Sequence, residues 1–110
     1  MQIPLQISFH GIQHSDALYN AIREKAEKLD RYCDHIMSCR VVLEVAGRHK
    51  HHGKQIGVRI DLKVAGGEIA ITKEHDEQVE VALRDAFDAA RRRLEDFVRT
   101  QRGDVKRHAS

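Results

Sequence analysis

The 110-residue sequence has no tryptophan and few other aromatic rings, with Phe 3 and Tyr 2. That scarcity excludes a long aromatic platform on which many bases stack. Cysteine is sparse: Cys33 and Cys39 do not make a disulfide framework, and their number fits a reducing, cytoplasmic compartment. No apolar run approaches the roughly 20 residues that span a bilayer. The start, Met-Gln-Ile-Pro-Leu-Gln, lacks the basic residues and long apolar block of a signal peptide, so no membrane partner is expected. A dominant charge is also missing, since Lys+Arg 19 and Asp+Glu 17 leave a net charge of only +2. A uniformly cationic nucleic-acid coat is therefore excluded. There is no internal repeat, low-complexity segment or linker, which predicts one domain over 1–102 and a flexible tail over 103–110.

What is present is clear periodicity. Ile3, Leu5, Ile7 and Phe9 alternate as in a strand with one buried face, and Pro4, lacking an N–H, places that strand at a sheet edge. Ser15 is a candidate N-cap for a helix over about 15–32, whose stripe is Leu18, Ile22, Ala26 and Leu29. Alternation returns over 39–46 and again over 56–64, where Ile56, Val58, Ile60, Leu62 and Val64 share one face. Gly66-Gly67 signals a turn into a short strand over 68–72. Asp76 is a candidate cap for a last helix with the stripe Val79, Leu83, Phe87, Ala90 and Leu94, ending near Gly103. The order β-α-β-β-β-α predicts an α+β, two-layer domain. Both helices pack on one face of a four-stranded sheet, a layout that resembles a double-stranded RNA-binding domain.

Several chemical motifs are tempting and fail. His49, His51 and His52, with His75, offer zinc-ligating nitrogens, but Lys50 and Lys54 repel a cation and no cysteine or carboxylate completes the set. A flexible polar hairpin loop is the plainer reading. The stretch Gly47 to Lys54 has five residues between its glycines and Gln55 where a phosphate loop needs Ser or Thr, and a strand follows instead of a helix. Nothing identifies a general base for Cys33 or Cys39, which read as packing residues. No enzyme, metal, cofactor or small-molecule substrate is expected.

The last helix carries the most suggestive charge pattern. At about 100° per residue, Arg84, Arg91, Arg92, Arg99 and Arg102 fall within an arc of about 100°, away from the apolar stripe. Lys25 and Lys28 border the stripe of the first helix, where they can snorkel out between the two helices, and Arg31 follows. Two adjacent helices then present a phosphate-binding groove. The pairs Arg84–Asp88, Arg91–Glu95 and Glu95–Arg99 equally describe a solvated helix laddered by ion pairs.

The stretch from Ala21 to Ile36 resembles the first-helix signature of the ribosome hibernation promoting factor family, approximately E-K-x-x-K-L-x-R-[YF]-x-x-x-I. Glu24, Lys25, Lys28, Leu29, Arg31, Tyr32 and Ile36 match it. Ala86-Phe87-Asp88 and Arg93-Leu94 are similar to two elements of the family's second helix. The resemblance implies a non-enzymatic cytoplasmic factor that binds the small ribosomal subunit and its rRNA. It would occupy the channel used by mRNA and tRNA and sterically block translation during stasis. It implies Lys25, Lys28, Arg31 and Arg93 as rRNA contacts, while the helical-face argument adds Arg84, Arg91, Arg92, Arg99 and Arg102. Long members continue into a dimerisation domain, so this chain reads as a short form or an N-terminal domain, monomeric off the ribosome. The alternatives are a free-standing double-stranded RNA binder and, more remotely, a metal-dependent enzyme using the His loop.

Overall fold

A computed structural model describes residues 4–33, 36–49, 53–76 and 78–101, with side chains left out at 46–49, 53–54, 75–76 and 101. The elements run β1 (Leu5–His10), α1 (Asp16–Tyr32), β2 (Ile36–His49), β3 (Gly53–Val64), β4 (Gly67–Asp76) and α2 (Val79–Gln101). The four strands form one sheet in the order β1-β2-β3-β4. β1 pairs parallel with β2 because α1 carries the chain back across the sheet, and the β2–β3 and β3–β4 pairs are antiparallel. This is the expected two-layer α+β arrangement.

Pairing and alternation together build the core. One row across the sheet reads Ile7↔Val41↔Ile60↔Ile71, and the next reads Leu5↔Cys39↔Leu62↔Ile69. In these rows the residues of β2, β3 and β4 are buried, while Arg40, Glu44, Arg59 and Lys63 face the other way and are exposed. The two-residue period therefore assigns one face of the sheet to the helices and the other to solvent. α1 contributes Ile22, Ala26 and Leu29 to the same cluster, Cys33 joins them from just past the helix, and α2 contributes Ala82, Leu83, Ala86, Phe87, Ala90 and Leu94. Among the described residues no polar or charged side chain is buried, so desolvation sets no penalty against this core.

The termini of the elements sharpen the sequence reading. Ser15 caps α1 as expected, its Oγ accepting from the Leu18 N–H at 3.2 Å. Pro4 sits at the free edge of the sheet, and its carbonyl accepts from the Cys39 N–H at 3.0 Å. Asp76 does not cap α2: it continues β4 opposite Gln55, and the helix starts at Val79. The ladder captured this residue because β3 extends to Gly53 and offers partners for a longer β4. The same lengthening carries β2 to His49, so much of the polar segment expected as loop is strand; Lys50, His51 and His52 lie outside the described residues. The turn between β3 and β4 is Ala65-Gly66, one residue earlier than expected. Gly66 has φ +97°, a conformation that favours glycine, and Gly67 belongs to β4. A Cβ on Gly67 would meet Phe97 at 3.3 Å, so this glycine lets the last turns of α2 close onto the strand. Gly103, the expected helix stop, lies outside the described residues.

Burial also fixes the chemistry of Cys39. Loss of hydration, with a smaller effect from Asp61, pushes its thiol from the ordinary 9.0 up to about 12. The folded chain thus holds this proton to higher pH than the unfolded chain. The associated stability is complete below about pH 9 and falls as pH rises toward 12. In denaturant melts between pH 8 and 11, Cys39→Ala should lose stability less steeply with pH than the wild type. A separate Leu94→Ala substitution, which empties a fully buried position between α2 and the sheet, should cost about 2–5 kcal/mol in the same assay.

Candidate nucleic-acid interface

α1 lies toward β1, α2 lies across β3 and β4, and the two helices touch each other. Their apolar stripes face the sheet, so their flanks meet above it and leave a groove. The flank of α1 supplies Lys25, Lys28, Arg31 and Tyr32, spaced so that Lys25, Lys28 and Tyr32 rise along one side. The flank of α2 supplies Asp88 and Arg91, one turn apart. Leu29 and Phe87, both core residues, form the apolar floor. The groove is open to solvent on one side, with a volume of about 480 Å³.

The electrostatics of the groove depend on pairing more than on charge count. Both helices carry acids and bases in equal number, four of each on α1 and five of each on α2. On α2 the arginines are largely committed. Arg84 pairs with Asp85 at 3.7 Å, Arg91 with Glu95 at 3.4 Å, and Arg99 with Asp96 at 2.6 Å. Only the Arg91–Glu95 member of the expected ladder forms; Arg84 and Arg99 instead take nearer carboxylates, at one and three residues' separation. Among the described residues no carboxylate lies within ion-pair distance of Lys25, Lys28 or Arg31. The groove's basic side chains without an ion pair among the described residues are therefore those of the α1 wall, and they face Arg91 and the Asp88 carboxylate of α2.

The expected contact residues divide into groups. Lys25, Lys28, Arg31 and Arg91 come together at the groove. Arg92 is exposed beside it without an ion pair among the described residues, and Arg84 stands about 10 Å back along the helix from Arg91. Arg99 is exposed near the helix end. Arg93 turns away: it borders a separate shallow depression of about 730 Å³ with Arg40, Arg59 and Lys63 from the outer face of the sheet. There the Arg59 guanidinium is held by Asp61 at 3.1 Å, which raises its pKa further. Arg102 lies outside the described residues.

Sequence reasoning treated Tyr32 only as part of a motif, yet it is a wall of the groove. The ring is 52% exposed, and the Arg91 guanidinium carbon stands 5.6 Å from its centroid, within cation–π range. The signal that finds it is its position, seven residues after Lys25 on the same helical flank.

Comparison with known proteins agrees with this architecture. The model of the family described as Sigma 54 modulation protein / S30EA ribosomal protein matches residues 5–102. The chain belongs to that family. A curated member, the ribosome hibernation promotion factor of Deinococcus radiodurans, is 32% identical over 97 residues, covering 88% of this chain and 49% of the relative. The chain thus spans about half the length of that relative. The crystal structure of the Thermus thermophilus Protein Y N-terminal domain superposes with a TM-score of 0.71 at 25% identity, covering 88% of this chain and 99% of that one. A ribosomal subunit interface protein from Coxiella burnetii shares the fold, with a TM-score of 0.73 at 17% identity, covering 86% of this chain and 97% of that one.

On the α2 wall the Glu95 carboxylate offsets the Arg91 charge, and Asp88 adds a second negative group to the groove. Glu95→Gln should raise affinity for a polyanion about two- to threefold, since both groups are partly exposed and solvent screens the pair. Elution from heparin at higher salt than the wild type checks this, and an unchanged position would mean that Arg91 contributes nothing.

Proposed function

We propose that this chain is the ribosome-binding domain of a non-enzymatic hibernation factor. It binds the small subunit through rRNA in the channel used by mRNA and tRNA, and it blocks translation by occupying that space. The observation that carries the reading is the interhelical groove, where Lys25, Lys28 and Arg31, without ion-pair partners among the described residues, stand beside Arg91. Membership of a family that includes a ribosome hibernation promotion factor supports the ribosome as target. Such a factor works in the cytoplasm, where ribosomes are.

The mechanism is occlusion driven by counterion release. Each phosphate that a lysine or arginine contacts frees condensed ions, so affinity comes from many contacts of modest strength and falls steeply with salt. These contacts fix position along the RNA, and the shape of the folded rRNA selects the site. Arg84, Arg92 and Arg99 extend the basic margin along α2 beyond the groove. No bond is made or broken, and the protein needs no cofactor.

Sedimentation with purified small subunits across a salt series tests the proposal. The wild type should co-sediment at low salt. Lys25→Ala/Lys28→Ala/Arg31→Ala should reduce the slope of log affinity against log salt by about 2–3. An unchanged slope would remove the groove from the interface. Binding to an isolated RNA duplex as tight as to the subunit would favour a general double-stranded RNA binder.

A further inference from the structure

The groove holds more than phosphate contacts require. Phosphate needs cations, which Lys25, Lys28 and Arg31 supply at the rim. It does not need a half-exposed tyrosine ring beside an arginine, nor a floor of Leu29 and Phe87. An exposed aromatic ring over an apolar floor pays a hydration cost in the free protein, and a flat apolar ligand removes that cost. The volume of about 480 Å³ falls in the range of pockets that enclose small organic ligands.

RNA offers one fragment that fits all of these features. In an A-form duplex the base faces are stacked inside the helix and only sugars, phosphates and shallow edges reach a protein. An unpaired nucleotide presents a bare π-face next to its own phosphate. Tyrosine rings and guanidinium planes are the usual supports for such a base. We propose that the α1–α2 groove takes a single unpaired nucleotide of RNA, its base packed against the Tyr32–Arg91 pair and its phosphate among Lys25, Lys28 and Arg31. This deepens the RNA-binding reading and rests on it. It also matches the scarcity of aromatic residues, because the groove supplies one exposed ring, Tyr32, and therefore one base position, while Phe87 is buried in its floor. Asp88, on the α2 wall, adds an acceptor for the edge of the base or for a ribose hydroxyl.

The chain's composition provides the probe. With no tryptophan and two tyrosines, a Tyr19→Phe variant leaves Tyr32 as its only tyrosine fluorophore. A single-stranded oligouridylate should quench that emission on titration, while a blunt RNA duplex and inorganic pyrophosphate should not. In parallel, Tyr32→Ala should bind small subunits about 5- to 150-fold more weakly than wild type, the loss expected for one stacked base. Tyr32→Phe should stay within about twofold, since it keeps the ring. Tyr32 is exposed, so both variants should fold, which circular dichroism verifies. If the wild type binds subunits and Tyr32→Ala binds equally well with no quenching by single strands, the stacking proposal is overturned and the phosphate groove stands. If the wild type itself fails to bind subunits, the ribosome reading fails, and the oligonucleotide titration still decides whether the groove takes an unpaired base. Equal quenching by pyrophosphate would also overturn the proposal, because it would report charge and not stacking.

Discussion

Everything that positions the groove follows from the one-sided burial of the sheet. β2, β3 and β4 each direct one set of side chains inward, and register aligns those sets into continuous apolar rows. A row such as Val41↔Ile60↔Ile71 can be kept from water only by covering that face. Both helices must therefore lie on the same side, and a four-stranded sheet is wide enough to hold them side by side. The parallel β1–β2 pair adds the second constraint, since it sends α1 over the sheet and sets its flank against α2. The groove is the space left where two helices share one apolar floor.

Charge then works by arrangement. Each helix is balanced in acids and bases, so neither is cationic as a whole, and the chain's net charge is +2. α2 spends three of its arginines on its own carboxylates, whereas Lys25, Lys28 and Arg31 on α1 are unpaired among the described residues. Exposed ion pairs of this kind contribute little to stability, but they cancel local potential. The consequence is an asymmetric groove: one wall presents Lys25, Lys28 and Arg31, and the other presents Arg91, its charge partly offset by Glu95, together with Asp88. A nearly neutral total is compatible with a focused cationic site, and it limits attraction to nucleic acid elsewhere on the surface.

Much of this was legible in the sequence. Two-residue and helical periods identified six elements in the right order and most of the core, while the fully buried Ala82 and Ala86 of α2 fell outside the expected stripe. Ser15 declared the start of α1, because a capping hydroxyl acts locally. The failures share a cause: they turn on partners distant in the chain. Asp76 has the chemistry of a helix cap, but pairing with Gln55 claims its backbone for β4. Arg84–Asp88 has ideal helical spacing, yet Asp88 lines the groove and Arg84 turns to Asp85. Lys25 and Lys28 could be placed at the groove because they border a stripe whose direction is fixed by burial. Arg93 belongs to the same run as Arg91 and Arg92, but a turn of 100° per residue points it past β4 toward the outer sheet face. Tyr32 was visible as a motif residue, and its role as a wall emerges only when Arg91 is brought beside it from 59 residues away.

The central claim is that the α1–α2 face is the surface that meets rRNA. The most direct measurement is an electron cryomicroscopy reconstruction of the chain bound to the small subunit. The account predicts density in the mRNA and tRNA channel, with the groove between α1 and α2 turned to rRNA and Lys25, Lys28 and Arg31 beside phosphates. A complex in which the outer sheet face, with Arg40, Arg59 and Lys63, meets the RNA while the groove faces solvent would contradict it.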